Sequence, residues 1–220
     1  MLTAVVADDD SESAFAQWID SLTSLTRSDV AARQWRERRY AFAYGLGEAL
    51  AGPTASTPAV TGAAIYGIWL TWGLLYVGQT TEASRRLRDL PVGESHHLPN
   101  TFPPEIWDRV VVVNWPALPE AEAAMEEFDP KIVGLALEHH LQLRTEPLAN
   151  TARRTKAGGW QSINRVNSKS RGARAAAAVA ALSARVDRLW DAAAVHETGS
   201  GSLPSSIRCV RPAQLLARMS

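Results

Sequence analysis

Cysteine is almost absent from this sequence: Cys209 is the only one in 220 residues. A single thiol excludes an internal disulfide framework and any zinc cluster built on cysteines, and it sets a reducing, cytoplasmic compartment as the expectation. Net charge is absent too, because 23 Lys and Arg residues balance 23 Asp and Glu residues. No global basic field announces a nucleic acid, so any case for one rests on where the charges lie. Long hydrophobic runs are also missing. The apolar start at 1–6 stops at Asp8, Asp9 and Asp10, which does not read as a signal peptide. The alanine-rich run at 173–182 has Arg174 and Arg185 at its ends and reads as a helix of a soluble protein, so no membrane is expected as a partner. There is no internal repeat.

What remains suits one compact domain with helical additions at either end: an N-terminal extension over 1–58, a core over 59–150, and a basic segment with a long helix and tail over 151–220. In the first part, Phe15, Trp18, Ile19, Leu22 and Leu25 recur at helical spacing, and a second helix is expected from Ser28 to about Leu50. Its middle carries Arg33, Arg36, Arg38 and Arg39 against one Glu37, a solvated or a phosphate-facing surface. Gly52 and Pro53 open a linker that ends at Pro58.

Two short apolar runs follow, 64–70 and 74–78, separated by Thr71, Trp72 and Gly73. Their length and density predict a β-hairpin with a three-residue loop closed by the glycine. If Leu70 faces Leu74, Tyr76 lies opposite Ile68 with Tyr66 as its diagonal neighbour on the same face, about 7–8 Å away in a regular pair. A two-residue turn would instead send the two tyrosines to opposite faces. Thr80 or Thr81 then caps a helix running to Leu90, stopped by Pro91. Ala83, Leu87 and Leu90 form its apolar stripe, and Arg86 sits at the stripe's margin while Arg85 and Arg88 point outward. After a loop over 91–104 rich in Pro, Gly, His and Asn, the run at 109–115 is the clearest strand, β-branched and continuous, hence buried on both faces. Two helices are expected next, at 119–128 and 131–145, broken at Asp129 and Pro130.

The composition then shifts. Arg153, Arg154, Lys156, Arg165, Lys169 and Arg171 occur without an acidic residue, interleaved with Trp160, Gln161, Asn164 and Asn167. Such a mixture suits phosphate contact and base-edge hydrogen bonding, so Arg153, Arg154, Lys156, Arg165, Asn167, Lys169 and Arg171 are candidate DNA-binding residues. A long helix over 172–195 and a closing segment over 207–220 complete the chain.

In order, the chain carries Ala64-Ile65-Tyr66, Tyr76-Val77-Gly78, Arg86 eight residues after Gly78, Glu138 opening Glu-His-His-Leu, and Pro147 followed by Asn150. This set resembles the GIY-YIG nuclease family over 63–150, and its restriction endonucleases most. Alanine stands at 64 where the family has glycine, and Leu90 stands where several relatives carry a histidine. The resemblance implies an α+β fold, a small mixed or antiparallel three-stranded sheet flanked by helices. It also implies a metal-dependent, sequence-specific endonuclease that hydrolyses double-stranded DNA, with a homodimer or transiently paired monomers on palindromic sites. Glu138 would hold one Mg²⁺ or Mn²⁺ per site. Arg86 would clamp the scissile phosphate, and Tyr66, helped by Tyr76, would orient or deprotonate the attacking water, provided Arg86 and the metal lower its pKa. Asn150 would position the glutamate or the phosphate, and His96 or His97, folding back from the loop, would replace the missing histidine, with His97 as the candidate. His139 and His140 are adjacent and cannot both face one ion from a helix. A repair or structure-selective nuclease, or a DNA-binding protein whose nuclease core has decayed, are the alternatives.

Overall fold

The computed structural model describes residues 16–17, 20, 23, 27–55, 57–93, 98–154, 156, 159–196 and 203–219. Phe15, Trp18, Ile19, Leu22 and Leu25, the apolar positions of the first expected helix, lie outside these residues, as do His96 and His97. Along the chain, α1 (Asp29–Ala51) is followed by β1 (Ala64–Leu70), β2 (Gly73–Thr80), α2 (Ala83–Val92) and β3 (Arg109–Val113). Then come α3 (Ala121–Glu127), α4 (Pro130–Thr145), β4 (Ala152–Arg154), β5 (Trp160–Ser162), α5 (Arg171–Ala175), α6 (Ala180–Ala194), β6 (Ile207–Val210) and α7 (Pro212–Met219). No helix among the described residues is long and apolar enough to cross a membrane.

The fold is α+β, with a sheet of four strands in the order β2-β1-β3-β6 and every neighbouring pair antiparallel. The expected sheet had three strands, and the added one is β6, which pairs with β3 from Val110↔Val210 to Val113↔Ile207. Four residues interrupted by Arg208 carry too little alternation to be read as a strand. What makes them one is the exposed hydrogen-bonding edge that β3 would otherwise present.

Alternation along the strands divides the apolar residues between two faces. On one, Ile65, Val77, Val111 and Val113 meet Val133 and Leu137 of α4 and Val186 and Trp190 of α6. On the other, Tyr66, Ile68, Val110 and Val112 meet Leu46 and Leu50 of α1 and Leu87 and Leu90 of α2. Each wholly buried leucine or isoleucine contributes about 1.5–3 kcal/mol, so α1 and α6, expected as additions to a core, supply much of what stabilises it. Only the C-terminal half of α1 is buried, from Phe42 onward; Val30, Tyr40 and Tyr44 are exposed.

Two helix boundaries differ from expectation. Neither Thr80 nor Thr81 caps α2; Glu82 occupies that position without a side-chain cap, and the helix runs through Pro91 to Val92. The expected long helix over 172–195 is two helices, α5 and α6, separated by a turn at 176–179. Alanine offers no local reason to break, so packing decides. A Cβ on Gly172 would lie 2.2 Å from the Leu135 carbonyl oxygen, which shows how tightly α5 is seated on α4, whereas α6 lies over the sheet. One straight rod cannot serve both contacts.

Arg208 is buried, 7% exposed, and its guanidinium binds the Ala49 and Gly52 carbonyls at the C-terminal end of α1, the Pro58 carbonyl at 2.9 Å and the Thr57 hydroxyl at 3.2 Å. No carboxylate is among these partners; the cation answers the negative end of a helix. Burial accordingly lowers its pKa. Arg208→Met keeps the stem's packing but strands these acceptors. A loss of about 2–4 kcal/mol is expected, read as a fall of about 5–15 °C in melting temperature; an unchanged melt would mean that the guanidinium holds nothing together.

Candidate active site

The two tyrosines share a face by a route the sequence did not suggest. Leu70 pairs directly with Gly73, so the hairpin turn is two residues, Thr71 and Trp72, not the expected three. Alone, that change would turn every later side chain of β2 to the opposite face. A bulge reverses it: Trp69 pairs with Leu74 and Ile68 with Tyr76, leaving Leu75 as the extra residue. Leu75 and Tyr76 therefore both pack on the Tyr66 side, while Leu74 and Val77 pack on the other. The bulge gives up ladder hydrogen bonds but buries Leu75 almost completely, which offsets the loss by about 2 kcal/mol.

Tyr66 is wholly buried and Tyr76 half-buried, with ring centroids 6.1 Å apart and planes tilted by 40°. Gly78 pairs with Tyr66 across the hairpin, and a Cβ there would lie 2.6 Å from Tyr76 Cε1 and 2.8 Å from the Tyr66 hydroxyl. Both rings pack across this glycine, which explains the third residue of Tyr-Val-Gly sterically.

Of the three arginines on α2, only Arg86 turns onto the sheet: its Nε donates to the Tyr66 hydroxyl at 3.1 Å. Arg85 pairs with Glu82 and Asp89 along the helix, and Arg88 pairs with Glu48 of α1. The Tyr66 hydroxyl accepts from Arg86 and is hydrogen-bonded to Tyr76, a pair in which either phenol can donate. Burial nonetheless raises its pKa above the ordinary phenol value, and Arg86 does not reverse this. The Tyr76 phenol is raised as well, by burial first and then by Tyr66 and Glu138, with Arg86 acting the other way. The expectation that Arg86 helps to bring Tyr66 down is therefore corrected in part: the arginine acts in that direction, but desolvation is larger.

Glu138 reaches this place from α4. Its charge acts on both phenols, and its own pKa is pushed up to about 7 by burial, against the opposing influence of Arg165, Arg86 and a hydrogen bond from Gln142. The bond from Gln142 Nε2 to Glu138 Oε1 is 3.2 Å, and the same nitrogen donates to the Val77 carbonyl at 3.2 Å.

The Asn150 side chain bonds to the backbone of β2. Its Oδ1 accepts from the Val77 amide at 2.8 Å and its Nδ2 donates to the Val77 carbonyl at 3.1 Å, so the side-chain amide pairs with the outer edge of β2 as a strand would. It braces the strand that carries Tyr76.

The basic segment separates into different surroundings. β4 and β5 form a two-stranded ribbon, Ala152↔Ser162 to Arg154↔Trp160, apart from the main sheet. Arg153 and Arg154 lie on it, their side chains outside the description; Lys156, Asn167, Lys169 and Arg171 are exposed. Arg165 is not on the outer surface with them. Its Nε donates to Gln142 Oε1 at 3.0 Å and its Nη2 to the Asn150 carbonyl. The sequence reading missed the parts played by Gly78, Gln142 and Arg165. Gln142 had a usable signal, four residues after Glu138 on one helix, whereas Arg165 was hidden among other cations.

Among the described residues, no three His, Cys, Asp or Glu side chains gather closely enough to hold a metal ion. His140 is engaged elsewhere, with Asp187 at 2.8 Å. The carboxylate at this place is Glu138, whose charged form burial disfavours although Arg165 and Arg86 act the other way. That fits a hard cation such as Mg²⁺ or Mn²⁺, which keeps much of its water, and not a zinc cage built by the protein. Compared with family models, curated proteins and solved structures, the chain matches none of them.

Proposed function

We propose that this chain is a metal-dependent, sequence-specific DNA endonuclease of the restriction type, with a GIY-YIG-like core. The observation that carries the reading is the 3.1 Å contact between Arg86 and the Tyr66 hydroxyl, within reach of the Glu138 charge. Tyr66, Tyr76, Arg86 and Glu138, selected by motif from three separate stretches, share one electrostatic environment. Held by Glu138, a magnesium or manganese ion would supply Lewis-acid stabilisation and an acidified water.

The protein's own groups divide the remaining work. The Arg86 guanidinium binds the scissile phosphate and offsets charge that builds up on it in the transition state. The Tyr66 oxygen, accepting from Arg86 and hydrogen-bonded to Tyr76, orients the attacking water; with its pKa raised, it stays a neutral phenol until something beyond these residues withdraws its proton. Asn150 keeps β2, and with it Tyr76, in place. The β4–β5 ribbon is one of the two kinds of element that fit a DNA major groove. Together with exposed Lys156, Lys169 and Arg171, it is the recognition surface in this reading, and a palindromic site cut on both strands calls for a homodimer.

One observation favours a second reading. Leu90, where several GIY-YIG relatives carry a histidine, is wholly buried in the core, so no acid or base can act from there. A DNA-binding protein without turnover would look the same at that position.

The test is digestion of unmodified and modified duplex DNAs, and of branched substrates, in Mg²⁺, Mn²⁺ or chelator, followed by sequencing of the ends. Discrete fragments with a common end sequence are expected, and Arg86→Ala should slow their appearance by about a thousandfold or more. Cleavage of branched DNA alone would select a structure-selective nuclease, and binding without cleavage in both metals would select the second reading.

A further inference from the structure

We propose that Arg165 is a positioning residue for Glu138, acting through the side-chain amide of Gln142. The geometry of three contacts argues for it. Arg165 Nε donates to Gln142 Oε1 at 3.0 Å, and an arginine can only donate, so this contact fixes which end of the Gln142 amide is oxygen. The NH₂ end is thereby committed to the Val77 carbonyl, which can only accept, and to Glu138 Oε1, which can only accept when ionised, each at 3.2 Å. Flipping the amide would oppose donor to donor at Arg165 and acceptor to acceptor at Val77 and at the ionised Glu138. Arg165 thus selects the one orientation in which Gln142 holds the carboxylate. Its own place is fixed by the bond from Nη2 to the Asn150 carbonyl.

The position of Arg165 in the chain adds a consequence. It lies three residues beyond the end of β5, and the base of the ribbon is closed by the Ile163 amide bonding to the Thr151 carbonyl at 2.9 Å. The ribbon is therefore anchored in the Glu138 site through this side chain, and DNA seated on the ribbon bears on the aim of the carboxylate. This replaces the expected role of Arg165 as one more phosphate contact. The activity readouts below rest on the nuclease reading; the stability readout does not.

Arg165→Lys, Gln142→Met and the double variant separate the two roles. Lysine keeps a charge for a phosphate but loses the planar fork. For a positioning residue, Arg165→Lys lowers kcat about 10–100-fold, while DNA affinity in Ca²⁺ and its salt dependence stay as in the wild type. Gln142→Met, which leaves the Arg165 charge in place, lowers kcat by a similar factor, and the double variant falls no further. In thermal unfolding, the two single shifts likewise do not add. Full kcat in Gln142→Met would overturn the proposal. So would an Arg165→Lys enzyme with normal kcat beside an Arg165→Ala enzyme whose main defect is weaker DNA binding with a salt slope reduced by about one. If the wild type cuts no DNA, the nuclease reading fails by itself, and the unfolding cycle still decides: non-additive shifts support the relay and additive shifts overturn it.

Discussion

Glu138→Gln should melt about 5–10 °C above the wild type near pH 8 and cut DNA at least about a thousandfold more slowly. Both effects come from one cause. Burial lifts the Glu138 carboxyl from 4.5 to about 7, so the folded state holds a proton that the unfolded chain has already released. Below about pH 4.5 both states are protonated and nothing is lost. Between there and about pH 7 the folded chain binds more protons than the unfolded one, so stability falls as pH rises; above about pH 7 the cost is complete, about 3 kcal/mol at most. A neutral glutamine can still accept from Gln142 without that cost. The melting difference between the two proteins should therefore vanish near pH 4.5 and open as pH rises. An ion bound by the carboxylate recovers this energy: Mg²⁺ at about a hundred times its Kd should raise the wild type by about 2.7 kcal/mol and leave Glu138→Gln unmoved. A wild type that melts higher than the glutamine variant at about pH 8 in chelator would show that the carboxylate is not strained by burial.

Gly78→Ala should lower cleavage by about a hundredfold and cost about 1–3 kcal/mol in stability. The added methyl would lie 2.6 Å from the Tyr76 ring and 2.8 Å from both Cζ and the hydroxyl of Tyr66. Tyr76 is half-buried and has somewhere to go. Tyr66 is enclosed and tied to Arg86, so the strain falls on the contact that the mechanism uses. The signature is a fall in kcat with DNA affinity intact, accompanied by a change in tyrosine absorbance. An alanine variant with normal turnover would mean that the two rings need not lie where they do.

Much of the fold was legible because its signals were local. The start of α1 beside Ser28, the break at Asp129 and Pro130 that opens α4, and the buried β3 run all follow from short-range pattern. What escaped was decided at a distance. β6 exists because β3 has an edge to satisfy; the break between α5 and α6 exists because Gly172 lets one helix close on α4 while the other covers the sheet. The hairpin is the instructive case. Tyr76 was expected opposite Ile68 and stands there, yet through a two-residue turn and a bulge at Leu75, two departures that cancel. Within the site, Tyr66, Tyr76, Arg86 and Glu138 were nameable because a motif selected them. The contacts of Arg165 with Gln142 and of Asn150 with Val77 were not legible, because sequence gives a cation's charge but not its partner and an amide can serve a backbone as readily as a ligand.

The central claim is that Tyr66, Arg86 and Glu138 form one ion-dependent phosphodiesterase site. The most direct measurement is a time course on plasmid DNA with the wild type, Arg86→Ala and Glu138→Gln, each shown to be folded by its melting curve, in Mg²⁺ and in chelator. Discrete fragments from the wild type in Mg²⁺ alone, with both variants folded and inactive, are the predicted result. The same fragments from either folded variant, or from the wild type in chelator, would contradict it.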